Sequence, residues 1–409
     1  MHTRHLLRTA AASLTLAATL LTTGATGVAG AAGATGVAGA TGATGAAGAA
    51  AAAGATGSAE STGTTPGWNV SLSGNSPVES LKSVSALSED LAWAVGRKAQ
   101  HGVIMRWDGE RWSEDTSPGL PAVWEWSSVS AVSADDVWAY GMVNRDQVLV
   151  HYDGERWSTV PTTGPSDDSW PEVPIKAVPG RLFKGGNALY TYADGAWQTF
   201  TLPPLVDIRD IDALSADNAY ATGMRYPVDG GHPVTYHWDG TTWTLLEEPP
   251  VRAGTDTAKI AADSPDSVYV AGWADAPQAG PPIPSVTHWN GTAWEDITGT
   301  LADLYLHAIA PDGRGGLWVT GSDQSESPRS WPVFWHYDGT SWTKQSGATA
   351  PDGDTRYPSY TFYDLAPAGD SGAFWAVGDY TTPMDANGDQ TVNGLIERST
   401  TLPLTSDPR

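Results

Sequence analysis

The chain contains no cysteine, and this absence removes several kinds of chemistry at once. Without thiols there can be no disulfide, iron–sulfur cluster, thiolate zinc site or cysteine nucleophile. Phenylalanine is also scarce, with 5 residues against 20 tryptophans. This reversal of the usual ratio indicates a repeated unit that carries tryptophan.

Basic residues are the second shortage. The sequence has 22 Lys and Arg residues against 46 Asp and Glu residues, which gives a formal net charge of −24. Nucleic acids and anionic membrane surfaces are recognised by clustered Lys and Arg side chains. We therefore expect no nucleic-acid partner.

Long apolar runs are missing except at the N-terminus. Residues 1–30 carry Arg4 and Arg8, then about fifteen apolar residues and small residues, which is typical of a secretory signal peptide. The apolar stretch is short for a membrane span, so we expect a secreted, extracellular protein with no membrane insertion. Residues 31–66 form an Ala/Gly/Thr low-complexity linker whose glycine spacing is formally that of collagen. Residues 24–48 contain no proline, which favours the linker interpretation.

The rest of the chain repeats a pattern about every 46 residues. One element reads LKSVSALSEDLAWAVG at 81–96, WSSVSAVSADDVWAYG at 126–141 and YDLAPAGDSGAFWAVG at 363–378. A second element follows each first one after a variable gap, as in VIMRWDGERW and VLVHYDGERW. A repeat of this length predicts stacked or radially arranged supersecondary units.

Each unit reads as four short strands. The second strand is rich in Trp, Tyr and Val, and the third strand ends at Asp-Gly or Asn-Gly, which favours a hairpin turn. Four antiparallel strands per unit are typical of a propeller blade. The fourth strands begin with tryptophan: Trp112, Trp157, Trp197, Trp243, Trp294 and Trp342.

The seventh unit lacks a fourth strand of its own. Gly67-Trp68-Asn69-Val70 has the missing pattern at the other end of the repeats. The sequence thus predicts an all-β, seven-bladed β-propeller over residues 67–400, in which the N-terminal strand closes the last blade, followed by a tail at 401–409. Blade 3, at about 173–203, is degenerate because Ala193 replaces the usual aromatic residue.

This pattern resembles the Trp-Ala-x-Gly and Trp-Asp-Gly-x-x-Trp repeats of secreted actinobacterial β-propeller proteins. The resemblance covers the whole repeat region and implies the propeller fold. Lectin-like propellers of this type, including those of umbrella-shaped antibacterial toxin particles, imply a binding role within a larger secreted assembly. Propellers carry many activities, so the fold alone does not assign one.

The repeat also accounts for residues that could suggest chemistry. His151, His237, His288 and His336 occupy one repeat position, so we expect them to be spread among blades and not to share a metal ion. We expect the aspartates that precede Gly in the third-strand turns to form those turns. No catalytic motif is present, and we expect no enzyme activity and no obligatory cofactor.

One loop suggests calcium. Asp385, Asn387 and Asp389 alternate as in a calcium-binding loop, although Gln390 and Ile396 stand where the loop would need glycine and a carboxylate. The alternative is an ordinary hairpin loop between the second and third strands.

Long, varied segments fall on one face of the predicted ring. They comprise the second-to-third-strand loops and the links between blades, and variation confined to one face is typical of a binding surface. Aromatic residues outside the repeat register lie in these segments, and we predict that they contact ligand: Trp124, Trp170, Trp273, Trp331, Tyr226, Tyr357 and Tyr380.

These features predict a monomeric, non-catalytic propeller that binds extracellular carbohydrate, most plausibly cell-surface glycan. A protein–protein adaptor or lectin subunit of a larger secreted antibacterial toxin assembly is the first alternative, with a secreted protein as partner. A glycan-cleaving hydrolase is the second.

Overall fold

The computed structural model describes residues 67–74, 78–143, 146–162, 173–227, 231–252, 254–276 and 280–400. Apart from a short 3-10 helix at Gly369–Ser371, the regular structure described consists of β-strands. The strands form seven antiparallel four-stranded sheets in a seven-bladed propeller, which confirms the predicted fold class. No helix in the described part of the chain is long and apolar enough to cross a membrane.

The strands are numbered along the chain, beginning with β1 (Trp68–Leu72). Blade 1 contains β2 (Ser80–Ser88), β3 (Leu91–Lys98), β4 (His101–Trp107) and β5 (Trp112–Glu114). Blade 2 contains β6 (Glu125–Ser133), β7 (Asp136–Val143), β8 (Asp146–Tyr152) and β9 (Trp157–Val160). Blade 3 contains β10 (Ile175–Val178), β11 (Arg181–Lys184), β12 (Ala188–Ala193) and β13 (Ala196–Thr201).

Blade 4 contains β14 (Val206–Ser215), β15 (Asn218–Arg225), β16 (His232–Trp238) and β17 (Trp243–Leu245). Blade 5 contains β18 (Asp256–Ser264), β19 (Ser267–Ala274), β20 (Ile283–Trp289) and β21 (Trp294–Asp296). Blade 6 contains β22 (Leu304–Pro311), β23 (Leu317–Asp323), β24 (Val333–Tyr337) and β25 (Trp342–Ser346). Blade 7 contains β26 (Tyr360–Pro367), β27 (Phe374–Thr381), β28 (Val392–Ser399) and β1.

Burial explains the composition of each strand. The second strand of a blade packs between neighbouring sheets, so Leu91–Lys98 reads as a nearly continuous apolar run with a buried centre. The fourth strands are short and largely exposed beyond their first tryptophan, as in Trp112–Glu114. The degenerate blade 3 has four-residue first and second strands.

The acidic residues between the third and fourth strands form the turns there, as predicted. Asp108 Oδ1 accepts hydrogen bonds from the backbone N–H groups of Glu110 and Arg111, at 3.0 and 2.9 Å. Gly109 lies between Asp108 and Glu110 with φ of 95°, a conformation in which glycine has no steric cost. Backbone donation lowers the pKa of Asp108. The same arrangement recurs at Asp153, Asp239, Asn290 and Asp338.

The N-terminal strand closes the ring as predicted. β1 pairs antiparallel with β28, with Trp68 opposite Ser399. The Trp68 ring stacks on Phe334 of blade 6, with centroids 3.5 Å apart and planes 7° from parallel, and meets Trp318 edge-on at 5.7 Å. The closing strand therefore pairs with blade 7 and packs against blade 6.

Side chains join the inner strands of neighbouring blades. Ser or Asp side chains in one inner strand accept hydrogen bonds from backbone N–H groups in the inner strand of the next blade, at 2.9 to 3.4 Å. We call these contacts staples. The seven acceptors are Ser83, Ser85, Ser128, Ser130, Asp210, Asp212 and Asp364, which serve Val129, Ala131, Ile175, Ala177, Ile260, Ala262 and Val84 in that order.

A buried carboxyl group lies beside the link between blades 6 and 7. Glu397 of β28 is fully buried, and its Oε2 accepts a hydrogen bond from the Ala348 N–H at 3.0 Å. Its Oε1 has no hydrogen-bond partner among the described residues. Burial raises the pKa of Glu397 to about 8, so the folded protein holds this carboxyl protonated at neutral pH.

We predict that Trp68→Ala lowers stability by roughly 3–5 kcal/mol, because it removes a buried aromatic ring from the closing strand. The measurement is the midpoint of denaturant unfolding. Trp124→Ala is the matched control, since the Trp124 side chain is 49% exposed. Equal shifts for the two variants would contradict the role assigned to β1.

Glu397 should make stability depend on pH. Its pKa is raised on folding, so its contribution is present below the ordinary value of 4.5 and is lost as pH rises toward about 8. We predict that Glu397→Gln flattens the fall in unfolding midpoint between about pH 5 and pH 8. Glu110→Gln, at an exposed turn, is the control. An unchanged slope in Glu397→Gln would rule out this source of the pH dependence.

Candidate functional site

The seven inner strands surround a central channel of about 440 Å³, and each of them contributes lining residues. This volume lies within the range of small-ligand pockets. We call the face that carries the second-to-third-strand loops and the links between blades the upper face. Each inner strand begins at the upper face, so its first residues lie near the upper mouth of the channel.

One layer of the channel is aliphatic. An equivalent position in every inner strand places a β-branched residue or leucine against the channel, and each is almost fully buried. We call this layer the aliphatic ring, and it consists of Val84, Val129, Ile175, Ile211, Ile260, Ile309 and Leu365.

A polar layer lies above the aliphatic ring. Six of the seven inner strands have a register irregularity two residues before the aliphatic position, where one residue is left outside the regular pairing. Such bulges re-aim a side chain and are common beside functional sites. Five of the bulged residues line the channel, and we call them the bulge layer: Lys82, Ser127, Arg209, His307 and Tyr363.

Three members of the bulge layer are in contact across neighbouring blades. The Lys82 Nζ lies 3.7 Å from the centroid of the Tyr363 ring. The His307 ring lies 6.1 Å from the Tyr363 ring, centroid to centroid. Tyr363 also hydrogen-bonds Asp379, whose pKa is raised by burial although Ser80 and Lys82 oppose the shift. These contacts form one continuous wall from blade 6 through blade 7 to blade 1.

Arg209 organises the opposite part of the upper mouth. Its guanidinium pairs with Asp256 and donates a hydrogen bond to the Tyr226 hydroxyl. The Arg209 Nε lies 3.6 Å from Asp207 Oδ2. Tyr226 is 41% exposed, so this network joins a channel-lining side chain to an aromatic ring on the upper surface.

Trp273 continues this surface into blades 5 and 6. Its backbone is paired with that of Asp256, and its half-buried ring meets Tyr305 edge-on at 4.7 Å. We call Tyr226, Trp273 and Tyr305 the aromatic arc. Two of the predicted ligand contacts, Tyr226 and Trp273, are thereby placed beside the channel mouth.

The other predicted aromatic contacts have different surroundings. Trp124 and Tyr357 are each 49% exposed, on links between blades. Trp331 is half-buried, and its indole N–H donates to Glu326 Oε2 at 3.2 Å. Trp170 lies outside the described residues. A ligand role for these four residues stays a prediction.

The prediction that Tyr380 lies in an exposed loop is wrong. This residue belongs to β27 and is fully buried, with its ring packed parallel to Tyr360 at 5.7 Å. Its hydroxyl donates to Asp352 Oδ1 at 2.6 Å and accepts from the Gly74 N–H at 2.8 Å. Burial and Asp352 raise the pKa of Tyr380 to about 12. The Tyr380 hydroxyl thus holds the chain just after the closing strand β1, and its ring is covered by protein.

The loop proposed for calcium is folded on its own backbone. Asp385 Oδ1 accepts hydrogen bonds from the Asn387 and Asp389 N–H groups, at 2.8 and 2.9 Å. This backbone donation lowers the pKa of Asp385. The contacts match the hairpin-loop alternative, and calcium binding at this loop stays a prediction.

The four repeated histidines lie in four different sheets. Each Nε2 bonds a residue at or just before the start of the second strand of its own blade, for example Asp136 Oδ1 at 2.9 Å from His151. Each ring also lies against an aromatic ring of that strand, as His151 does on Trp138 at 4.4 Å. The equivalent pairs are Asn218 with His237, Ser267 with His288 and Asp312 with His336. The repeat position therefore serves packing within each blade.

The bulge layer is the feature that the sequence analysis missed. The sequence does contain a signal for this layer, because the position two residues before each residue of the aliphatic ring differs in side-chain chemistry from one repeat to the next. It reads Lys82 in KSV, Ser127 in SSV and Arg209 in RDI, whereas the following aliphatic position barely changes. A strand position whose side-chain type differs between repeats indicates a side chain that packing in the core does not constrain.

No family model and no curated protein matches the chain. Solved structures match its fold at low identity. YCF48 from Cyanidioschyzon merolae is 14% identical with a TM-score of 0.50, over 81% of this chain and 98% of that one. The GH74 xyloglucanase from Xanthomonas campestris is 12% identical with a TM-score of 0.53, and the GH74 enzyme of Niastella koreensis is 14% identical with a TM-score of 0.54. The matches cover 80% of this chain but 55% of each GH74 chain, so this chain spans about half their length. At these identities the similarity establishes the propeller fold alone.

Proposed function

We propose that the protein binds a carbohydrate at the upper mouth of the channel and does not cleave it. The observation that carries this proposal is the convergence of the bulge layer, the aliphatic ring and the aromatic arc at one mouth. Ligand pockets combine apolar walls with a few placed polar groups, and this mouth offers both. The predicted signal peptide at residues 1–30 and the absence of cysteine support a role outside the cell.

The chemistry of the mouth suits a sugar. Aromatic rings such as Tyr226 and Trp273 can cover the apolar face of a pyranose ring. Arg209, Asp207 and Asp256 supply charged donors and acceptors for hydroxyl groups, and charged hydrogen bonds are stronger than neutral ones. The channel volume of about 440 Å³ suits one or two sugar rings at a chain end.

The channel carboxylates support binding without hydrolysis. Asp210 has a pKa raised to about 6 by burial, a value suited to a general acid. Its two oxygens, however, accept the N–H groups of Ile211 and Ile260, at 3.0 and 2.9 Å. Asp364 is engaged in the same way by Leu365 and Val84. These backbone contacts join neighbouring blades, which favours a structural role for the two carboxylates over a catalytic one.

We predict that Trp273→Ala weakens glycan binding by about tenfold, the scale of one lost aromatic contact. Arg209→Met should weaken it at least as much, since it removes the group that connects Asp256 and Tyr226. The measurement is a glycan array followed by calorimetric titration of the purified chain with the best ligand.

The matched control is Trp197→Ala, because Trp197 lies on the outer strand of blade 3 with its indole N–H on the Pro161 carbonyl. Unchanged unfolding midpoints for Trp273→Ala and Arg209→Met would separate lost contacts from lost folding. Absence of binding to any glycan would overturn the proposal. New reducing ends after prolonged incubation with a bound oligosaccharide would overturn its non-catalytic part.

A further inference from the structure

The five residues of the bulge layer and Lys259, which lines the same channel, share one property. Lys82, Ser127, Arg209, His307, Tyr363 and Lys259 of blade 5 can all donate hydrogen bonds. Three of the six carry a permanent positive charge. This concentration of donors stands inside a chain of net charge −24.

Four of these donors follow one another around the ring. Lys259 belongs to β18, His307 to β22, Tyr363 to β26 and Lys82 to β2, which are the inner strands of blades 5, 6, 7 and 1. We call this set the donor arc. The contacts of Tyr363 with Lys82 and His307 make its wall continuous.

The acidic groups near the donor arc are held by other contacts. Asp379 accepts a hydrogen bond from Ser80 Oγ at 2.9 Å as well as the one from Tyr363. The two oxygens of Asp210 are bound to backbone N–H groups. The Tyr363 hydroxyl already donates to Asp379, but each lysine ammonium has three N–H donors, so Lys82 and Lys259 can donate to a ligand in addition to the contacts that they make within the protein.

His307 reports the local electrostatic environment. Burial, together with the neighbouring charges of Lys259 and Lys82, lowers the pKa of His307 to about 4. The imidazole is therefore neutral at pH 7 and can donate one N–H. Two positive charges that act on one half-buried ring indicate that an anion placed beside this ring would be stabilised.

We infer that the bound carbohydrate carries an acidic group, and that this group sits against the donor arc formed by Lys82, His307, Tyr363 and Lys259. The inference rests on the proposed function and deepens it, because it names the class of glycan. Carboxylate, sulfate and phosphate groups share the required chemistry, and a charged group is bound more strongly by ammonium donors than a hydroxyl group is. The aromatic arc would then hold the sugar ring while the donor arc holds its acidic substituent.

The test compares acidic and neutral ligands of equal length. Tetragalacturonate, a sulfated tetrasaccharide, a phosphorylated tetrasaccharide and neutral galactotetraose are titrated separately into the full chain. We expect at least one acidic ligand to bind about tenfold or more tightly than the neutral one, the size of one charged hydrogen bond. The three acidic ligands distinguish the source of the charge.

Two variants locate the acidic group. Lys82→Met and Lys259→Met should each remove about tenfold of the preference for the acidic ligand, so that the affinity for the acidic ligand falls by about ten times more than the affinity for galactotetraose does. Lys82→Arg should restore most of the preference. Lys98→Met is the control, because Lys98 is partly exposed and pairs with Glu114 at 2.9 Å, away from the channel. Unfolding midpoints check that each variant is folded.

The outcomes separate the two proposals. Equal affinity for acidic and neutral ligands, or an acidic preference that survives both lysine variants, would overturn the donor arc while leaving carbohydrate binding intact. Failure of every glycan on the array to bind would overturn carbohydrate binding itself.

Discussion

The propeller depends on how the inner strands satisfy the backbone N–H groups along their free edge, which has no neighbouring strand in the same sheet. Each inner strand is the edge of its own sheet, so one row of its N–H groups has no strand partner. A buried N–H group without a partner costs free energy comparable to a lost hydrogen bond. The staples meet this requirement at four of the seven junctions between blades, where a Ser or Asp side chain of one blade accepts the N–H of the next. Neighbouring sheets are thereby joined by specific contacts in addition to apolar packing.

The staples also decide which positions remain for function. Residues such as Ser128 and Ser130 are directed toward the next blade, and the aliphatic residue between them fills the channel. In blade 3 a different contact replaces a staple. Lys176 occupies the position equivalent to Ser130 of blade 2, and its ammonium group pairs with Asp212 of blade 4 at 2.7 Å. The Asp212 carboxylate raises the pKa of Lys176 and opposes its desolvation. The bulge layer takes no part in the staples, so its side chains can differ between blades while the staples stay in place.

The repeat made the fold predictable, because fold and repeat are set by the same residues. Asp108 and its equivalents form the turns, and the pattern at Trp68 identified the closing strand. The site was less predictable. Tyr380 looked like a loop residue because its strand runs past the repeated glycine, but that extension pairs with Asn393 and buries the ring. No sequence pattern predicted that Arg209 and His307 belong to one layer, because residues of different repeats come together only when the ring closes.

Closing the ring gives the mouth an electrostatic character different from that of the whole chain. The net charge of −24 repels an anionic glycan at long range, but at physiological ionic strength such repulsion is screened within about 8 Å. Inside the channel, which Lys82 and Lys259 line, the acidic glycan that we propose as ligand would make short contacts to these two lysines, and the low dielectric of the surrounding blades would strengthen those contacts. An acidic sugar would therefore be favoured only where it can enter, at a chain end, while the body of a polyanion would be held outside. Selection by shape and selection by charge would then occur at the same layer of the channel.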